Sequence, residues 1–190
     1  MDAPAGLEQA TRALSRPGGV VMYPTSTVYG IGGCAYDAVA AQRIAEIKGR
    51  PPGGLIVLAF EPELHGALAR RLAERFWPGP LTLVVPAWPG LPSEVLAADG
   101  TVAVRPPLHP MAQALVRAVG PITSTSANPA GAPPPRRPSD VTLPVDAVID
   151  VGPLPPSPAS TIVRADTGEL LREGAIPARA IAALLAGGLG

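Results

Sequence analysis

Residues 20–60 read VVMYPTSTVYGIGGCAYDAVAAQRIAEIKGRPPGGLIVLAF, and their pattern decides the fold class. The apolar run at 20–23 predicts a buried strand that ends in a polar turn at 24–27. Asp37 is a good N-cap residue, so we expect a helix from there to Lys48. Residues 55–60 predict a second apolar strand. A strand, a helix and a strand in succession indicate an α/β protein.

Apolar segments continue this alternation along the rest of the chain. Further helices are predicted over residues 3–15, 63–76, 109–119 and 178–185. Further strands are predicted over residues 81–85, 102–105, 121–123, 147–151, 161–163 and 170–172. In the helix that ends at Lys48, we expect Val39, Ile44 and Ile47 to face the core. Since the βαβ order is not strict, we expect an α/β (α+β) fold with a twisted mixed sheet flanked by helices. The expected organisation is one domain over residues 1–190.

The composition indicates a globular protein, which we expect to be cytoplasmic. The chain is 47% hydrophobic and 16% charged, with a net charge of zero, so no strong global field favours nucleic acid or an anionic membrane. We find no signal peptide and no apolar run that would span a bilayer. A single cysteine, Cys34, excludes a disulfide framework, and we expect it to be a small buried residue. We expect no zinc site, because the two histidines are far apart in the sequence.

Lys48 is the only lysine among the 15 lysines and arginines of the chain. It lies two residues before Arg50, at the predicted end of a helix and beside glycines. Two cations in this setting are suited to hold an anion such as phosphate. The alternative is that a GC-rich genome depleted lysine and that this one survived by chance.

Polar residues also cluster at other strand ends and loops. Thr25, Ser26, Thr27 and Tyr29 follow the first strand, and the run 124–128 (STSAN) follows a short strand. Each of two arginines, Arg105 and Arg172, ends an apolar strand. An arginine there often pairs with a carboxylate, and hydroxyls often cap turns, so these alternatives stay open.

Several kinds of chemistry are missing from the sequence. It has no P-loop, no dinucleotide-binding glycine motif, no Ser-His-Asp arrangement and no carboxylate pair. Cations and neutral donors remain, and these suit the binding of an anionic substrate and the stabilisation of charge on phosphorus. The proline-rich segment 132–138 predicts a rigid extended loop, although a passive connector has the same composition.

Eight segments spread along the chain form one ordered set of motifs. They are YPTSTVYG (23–30), IKGRP (47–51), LIV (55–57), WPGPLT (77–82), VAVRP (102–106), STSAN (124–128), STIV (160–163) and LREGAI (171–176). Together they resemble the YrdC/TsaC family of threonylcarbamoyl-AMP synthases, in its short single-domain form. The Lys-x-Arg and Ser-x-Asn pair of that family is matched by Lys48, Arg50, Ser126 and Asn128.

The resemblance implies that L-threonine and bicarbonate give N-carboxythreonine, whose carboxylate attacks the α-phosphate of ATP. Threonylcarbamoyl-AMP would then pass to a tRNA-modifying threonylcarbamoyl transferase. It implies catalytic roles for Lys48 and Arg50, and Mg²⁺ accompanying ATP without a protein metal site. The implied ATP ligands are Lys48, Arg50, Thr101, Ser126, Asn128, Pro134 and Arg172. The implied threonine ligands are Thr25, Arg105, Ser124 and Ser160.

The chain departs from the family pattern at three places. Ser26 stands where the family usually has Asp or Glu, Leu58 stands where it has His, and residues 51–54 are shorter than the usual stretch. One alternative is a YrdC-like paralogue that acts on another carbamoyl-adenylate. The other is an RNA-binding module without synthase activity, and weak tRNA binding is compatible with either role. We expect no association with a membrane.

Overall fold

The computed structural model describes residues 6–187 of the chain. The α-helices are α1 (Leu7–Leu14), α2 (Ala38–Lys48), α3 (Ala67–Phe76), α4 (Pro110–Val119) and α5 (Ala178–Ala186). The strands are β1 (Val21–Pro24), β2 (Tyr29–Gly32), β3 (Ile56–Leu58), β4 (Leu81–Pro86), β5 (Thr101–Arg105), β6 (Ile122–Ser126), β7 (Ala147–Val148), β8 (Thr161–Arg164) and β9 (Leu170–Arg172).

All nine of these strands form one mixed sheet, in the order β7-β1-β2-β6-β3-β5-β4-β8-β9. The β1–β7, β3–β5 and β4–β8 pairs are parallel, and the other five pairs are antiparallel. Helices flank the sheet, which confirms the predicted α/β (α+β) class. Within the described residues, no helix is long and apolar enough to cross a bilayer.

Two hydrophobic clusters pack on opposite faces of the sheet. One contains buried residues of α2, α3 and α5, and the other contains buried residues of α1 and α4. Side chains alternate between the faces along each strand. In β6, Ile122 belongs to the α1/α4 cluster, so Ser124 and Ser126 point to that same face beyond the helices. The polar ends of the central strands therefore lie beside the α1/α4 layer.

The helix predicted after Asp37 is confirmed. The Asp37 carboxylate accepts hydrogen bonds from the backbone N–H groups of Val39 and Ala40, at 2.9 and 3.1 Å. Gly49 ends the helix with a left-handed φ of 64°, a conformation that glycine adopts without strain. The expectation that Val39 faces the core is wrong, because its side chain in the first turn is 62% exposed, whereas Ile44 is fully buried.

Other differences concern the polar segments. Strand β2 was not predicted, because two of its four residues are glycines, but it pairs with both β1 and β6. Strand β6 continues through the hydroxyl run to Ser126 instead of ending at residue 123. Helix α3 begins at Ala67, not at residue 63. Cys34 is half-buried and not fully buried as expected. The predicted start of the first helix, at residues 3–5, lies outside the described residues.

Candidate active site

A cavity of about 410 Å³ opens at the polar ends of the central strands. Its walls come from β2, β3, β5, β6 and β9 and from the loops that precede β2, β3 and β8. The lining residues are Thr25, Thr27, Val28, Gly30, Gly54, Ile56, Arg105, Ser124, Thr125, Ser126, Pro134, Ser157, Ala159, Ser160 and Arg172. Seven of them carry hydroxyl groups, two are arginines, and none of these described residues is an Asp or Glu.

The β1–β2 turn holds Thr25 in a fixed position at the cavity wall. The Thr25 hydroxyl donates to the backbone carbonyl of Val28 at 2.7 Å and accepts from the N–H groups of Thr27 and Val28, at 3.2 and 3.3 Å. Local bonds of this kind hold a turn in one conformation. The predicted polar turn is therefore present, and its hydroxyl is used within the turn, while the Cγ2 methyl of Thr25 faces Gly30.

Arg105, the last residue of β5, is the buried cation of the cavity. The residue is only 7% exposed, and its Nε has no hydrogen-bond partner among the described residues. No carboxylate of the described chain pairs with it, so the ion pair considered from the sequence is not found. Burial lowers the pKa of Arg105, and the nearby charge of Arg172 lowers it further. A buried guanidinium without an anion is poised to receive one.

Arg172 and Ser160 form the second cationic wall. The guanidinium of Arg172 donates to the Ser160 carbonyl through Nε and Nη2, at 3.1 and 2.9 Å, and to its hydroxyl at 3.2 Å. The Ser160 hydroxyl also hydrogen-bonds the buried Thr82 hydroxyl at 2.9 Å. Burial lowers the pKa of Arg172. The guanidinium of Arg172 is thus held in position by the uncharged groups of Ser160, which leave its positive charge without a counter-charge.

Lys48 lies at the end of α2, with only 6% of the residue exposed. Its ammonium donates to the backbone carbonyls of Ser126 and Asn128, both at 2.7 Å. Its own carbonyl accepts from the N–H of Ala130 at 3.0 Å. Burial, with the charge of Arg50 beside it, lowers the pKa of Lys48 from 10.5 to about 8. Lys48 therefore positions the end of β6 with two of its three donors.

Asn128 shapes the turn that follows β6. Its amide Nδ2 donates to the carbonyls of Pro129 and Ala132, at 2.9 and 2.7 Å. Its Oδ1 is buried and has no donor among the described residues. Arg50 makes no side-chain hydrogen bond or ion pair within residues 6–187. The segments joined by Lys48 thus carry an unpaired acceptor, Asn128 Oδ1, and a cation, Arg50, without a partner among the described residues.

The proline-rich segment forms a roof over the cavity, with Pro134 in its lining. The N–H of Tyr29 donates to the carbonyl of Pro135 at 2.9 Å. The Tyr29 hydroxyl donates to the Gly152 carbonyl at 2.8 Å. Arg136 in turn donates to the carbonyl of Leu154. The segment is therefore a fixed part of the site, and not a passive connector.

A second cavity of about 590 Å³ shares Gly54 with the first. It is lined by Pro52, Gly53, Gly54, Ser93, Leu96, Ala97, Ala98 and Gly100. Thr101 follows this lining at the opposite end of β5 from Arg105 and does not line the first cavity. Its hydroxyl donates to the Asp99 carboxylate at 2.6 Å.

The residues present do not form a metal cage. Within the described part of the chain, no group of three or more His, Cys, Asp or Glu could hold a metal ion. The hydroxyls and arginines of the first cavity are poor Mg²⁺ ligands beside carboxylates and phosphates. Any Mg²⁺ at this site would take its ligands from a bound phosphate and water.

The structure brings together most of the residues singled out in the sequence. Seven line the first cavity: Thr25, Arg105, Ser124, Ser126, Pro134, Ser160 and Arg172. Lys48 and Asn128 do not line the cavity but each donates a hydrogen bond to the carbonyl of Ser126, which does. Thr101 does not line the first cavity. Thr27, which was named in the polar cluster after the first strand, also lines the cavity. Sequence reasoning missed Gly30, although it belongs to a quoted motif, and Ser157 in the loop before β8, for which the sequence gave no signal.

The three departures from the family pattern lie in different surroundings. Leu58 is buried in the α1/α4 cluster, and neither Leu58 nor Ser26 lines the cavity. Of residues 51–54, Gly54 lines both cavities. The short loop is therefore the departure that borders the site directly.

Comparison with known proteins finds relatives of this chain. The Sua5/YciO/YrdC family, described as "Telomere recombination", matches residues 13–174. A threonylcarbamoyl-AMP synthase of Alkalilimnicola ehrlichii is 38% identical over 82% of this chain and 89% of its own. That of Bacillus subtilis is 38% identical over 91% of this chain but 55% of its own length.

A solved structure has the same fold. The crystal structure of Pyrococcus abyssi Sua5 complexed with L-threonine superimposes with a TM-score of 0.77 and 34% identity. The match covers 94% of this chain and 56% of the Sua5 chain. The chain therefore spans a little over half the length of this relative and of the Bacillus protein.

Proposed function

Because this chain belongs to the Sua5/YciO/YrdC family, we propose that it is a threonylcarbamoyl-AMP synthase. It would form threonylcarbamoyl-AMP and pyrophosphate from L-threonine, bicarbonate and ATP. The observation that carries the proposal is the buried Arg105, whose Nε lacks a partner among described residues, in a hydroxyl-rich cavity. The names of the relatives support this activity over a paralogous carbamoyl-adenylate enzyme and over an RNA-binding module.

L-threonine would occupy the first cavity, with its carboxylate on Arg105. A planar guanidinium matches a carboxylate with two parallel hydrogen bonds, and burial strengthens them. The hydroxyls of Ser124 and Ser160 would bind the polar groups of the amino acid, and Thr25 would contact it through its Cγ2 methyl. Threonine is small enough to leave room for bicarbonate in a space of about 410 Å³.

ATP would lie along the mouth of this cavity and continue past Gly54 into the second one. Arg50 and Arg172 would meet the phosphates, because neither is neutralised by a carboxylate of the described chain. Ser126 and the unpaired Oδ1 of Asn128 would hydrogen-bond the nucleotide under the Pro134 roof. Thr101, beside the second cavity, would bind its far end. Mg²⁺ would accompany the phosphates without protein carboxylates.

The amine of threonine and bicarbonate would give the N-carboxylate and water. One oxygen of that carboxylate would then bond to the α-phosphorus as the bond to the pyrophosphate oxygen breaks. Negative charge accumulates on the phosphoryl oxygens and on the leaving pyrophosphate, so fixed cations lower the barrier. Lys48 would hold Ser126 and Asn128 in place and add its charge, whereas Arg50 and Arg172 would contact the phosphates.

The product is a reactive mixed anhydride that another enzyme must consume. We propose that a threonylcarbamoyl transferase moves its acyl group to tRNA. Within this chain, a net charge of zero argues against strong RNA binding that is independent of sequence.

A pyrophosphate-release assay tests the function. The expected result is release that requires ATP, bicarbonate and L-threonine together, with little release from other amino acids. Pyrophosphate release that does not depend on bicarbonate would overturn the proposal, and so would the absence of release with every amino acid. Binding of tRNA without any ATP binding would favour the RNA-module alternative instead.

A further inference from the structure

Gly30, in strand β2, is one of the residues that line the cavity. It pairs with Tyr23 of β1 and with Ser126 of β6. It is not one of the glycines with a positive φ, so its backbone conformation is open to any residue. The reason for a glycine here must therefore be space.

A side chain at Gly30 would enter the cavity between two proposed threonine ligands. A Cβ there would lie 3.2 Å from the Cγ2 methyl of Thr25, 3.7 Å from the hydroxyl of Ser124 and 3.0 Å from the carbonyl of Thr125. These contacts are tight, but the neighbouring atoms could accommodate the added methyl by moving a few tenths of an ångström. At Gly32, by contrast, a Cβ would lie 1.8 Å from the carbonyl of Thr123, so Gly32 is required by backbone packing.

We infer that Gly30 determines the amino-acid specificity of the site, because its missing side chain leaves the space for the methyl group of L-threonine. This inference rests on the proposed function and adds to it the residue that limits substrate size. With the substrate carboxylate on Arg105, the substrate side chain would lie near the Cγ2 methyl of Thr25 and the hydroxyl of Ser124, the two side-chain groups that face Gly30. Gly30 lies between those two, so a methyl on the protein and a methyl on the substrate compete for one place.

The test compares L-threonine with L-serine, which lacks only that methyl. We would measure pyrophosphate release at saturating ATP and bicarbonate for the natural protein, for Gly30→Ala and for Gly187→Ala. Gly187 has no positive φ, and a Cβ built there would lie no closer than 3.6 Å to any atom outside its neighbours in the chain. Gly187 does not line the cavity, so Gly187→Ala is the matched control for an added methyl away from the site.

In Gly30→Ala, the ratio of kcat/KM for threonine over serine should fall by about tenfold or more, the range expected for one crowded methyl group. The ratio should stay within about twofold in Gly187→Ala. Equal losses for both amino acids in Gly30→Ala, or no change, would overturn the inference. A natural protein that releases no pyrophosphate with any amino acid would instead overturn the proposed function.

A second variant tests the same space without adding an atom. Thr25→Ser keeps the hydroxyl of the turn and removes the Cγ2 methyl that faces Gly30. It should restore part of the threonine preference in the Gly30→Ala background, as coupled neighbours do. Alone, it should raise relative turnover of L-3-hydroxynorvaline, which extends threonine by one carbon. If Gly30→Ala does not fold, unchanged selectivity in Thr25→Ser contradicts the inference.

Discussion

The ammonium of Lys48 donates to the backbone carbonyl of Asn128 at 2.7 Å, so the end of α2 is joined directly to the turn after β6. A second bond of the same length joins it to the carbonyl of Ser126. The Lys-x-Arg and Ser-x-Asn motifs, which are 78 residues apart between Lys48 and Ser126, thus meet through main-chain atoms. In the proposed nucleotide site, Lys48 would thus act first as a positioning residue.

Replacing Lys48 should therefore cost both stability and activity. Lys48→Met leaves the buried Asn128 carbonyl without its donor, which costs about 1–3 kcal/mol of the free energy of unfolding. Its kcat/KM for ATP should fall at least about 100-fold, as for the loss of a positioned charge. Arg50→Met is the control, since Arg50 makes no side-chain bond within the described chain. It should lose comparable activity with a change in unfolding free energy below about 0.5 kcal/mol.

The affinity for ATP should depend on pH through Lys48. Its pKa is lowered to about 8, so the ammonium carries its charge below pH 8 and becomes neutral as the pH rises through that value. ATP phosphates favour the charged form, and affinity should therefore fall between pH 7 and 9. Calorimetric titration measures this, and Lys48→Met should lack the pH-dependent step. A fall that begins only near pH 10.5 would contradict the proposed burial of this ammonium.

Arg105 should matter for threonine and not for stability. Arg105→Met removes a buried charge that has no carboxylate partner among the described residues, so the unfolding temperature should be equal or higher. The Kd for L-threonine should rise on the order of 100-fold, because a buried charge-assisted contact is lost. Arg12→Met, which breaks an exposed pair with Glu8, should leave threonine binding unchanged. A clear loss of stability in Arg105→Met would point to a structural role.

Thr101 tests whether the nucleotide reaches the second cavity. Thr101→Val removes one hydroxyl and keeps the shape, so the KM for ATP should rise about threefold to tenfold, as for one hydrogen bond. The KM for L-threonine should not change, since Thr101 does not line the first cavity. An unchanged KM for ATP would restrict the role of Thr101 to its hydrogen bond with Asp99.

The sequence predicted the helices and the apolar strands well, because burial leaves a regular pattern. Strand β2 was missed, since Gly30 and Gly32 carry no side chain whose polarity could alternate. Val39 was expected in the core from its residue type, but its place in the first turn of α2 exposes it. Hydroxyl runs suggest turns, so the extension of β6 to Ser126 also needed the structure.

The sequence pointed to many of the residues that line the cavity, but not to their contacts. The resemblance to relatives brought Lys48, Ser126 and Asn128 together, and the structure places them in contact. Side-chain types alone could not predict that the Lys48 ammonium donates two of its hydrogen bonds to main-chain carbonyls. The space beside Gly30 could not be predicted from the sequence either, because the sequence does not show which atoms surround a residue that has no side chain. Both features depend on strand pairing between distant segments.

The most direct test of the synthase activity follows carbon from labelled bicarbonate. We would incubate the protein with ATP, L-threonine and ¹³C-bicarbonate and analyse the nucleotides by mass spectrometry. The account predicts one labelled threonylcarbamoyl-AMP for each pyrophosphate released, and no such product from Arg105→Met at the same threonine concentration. Pyrophosphate release without label in an adenylate would contradict it.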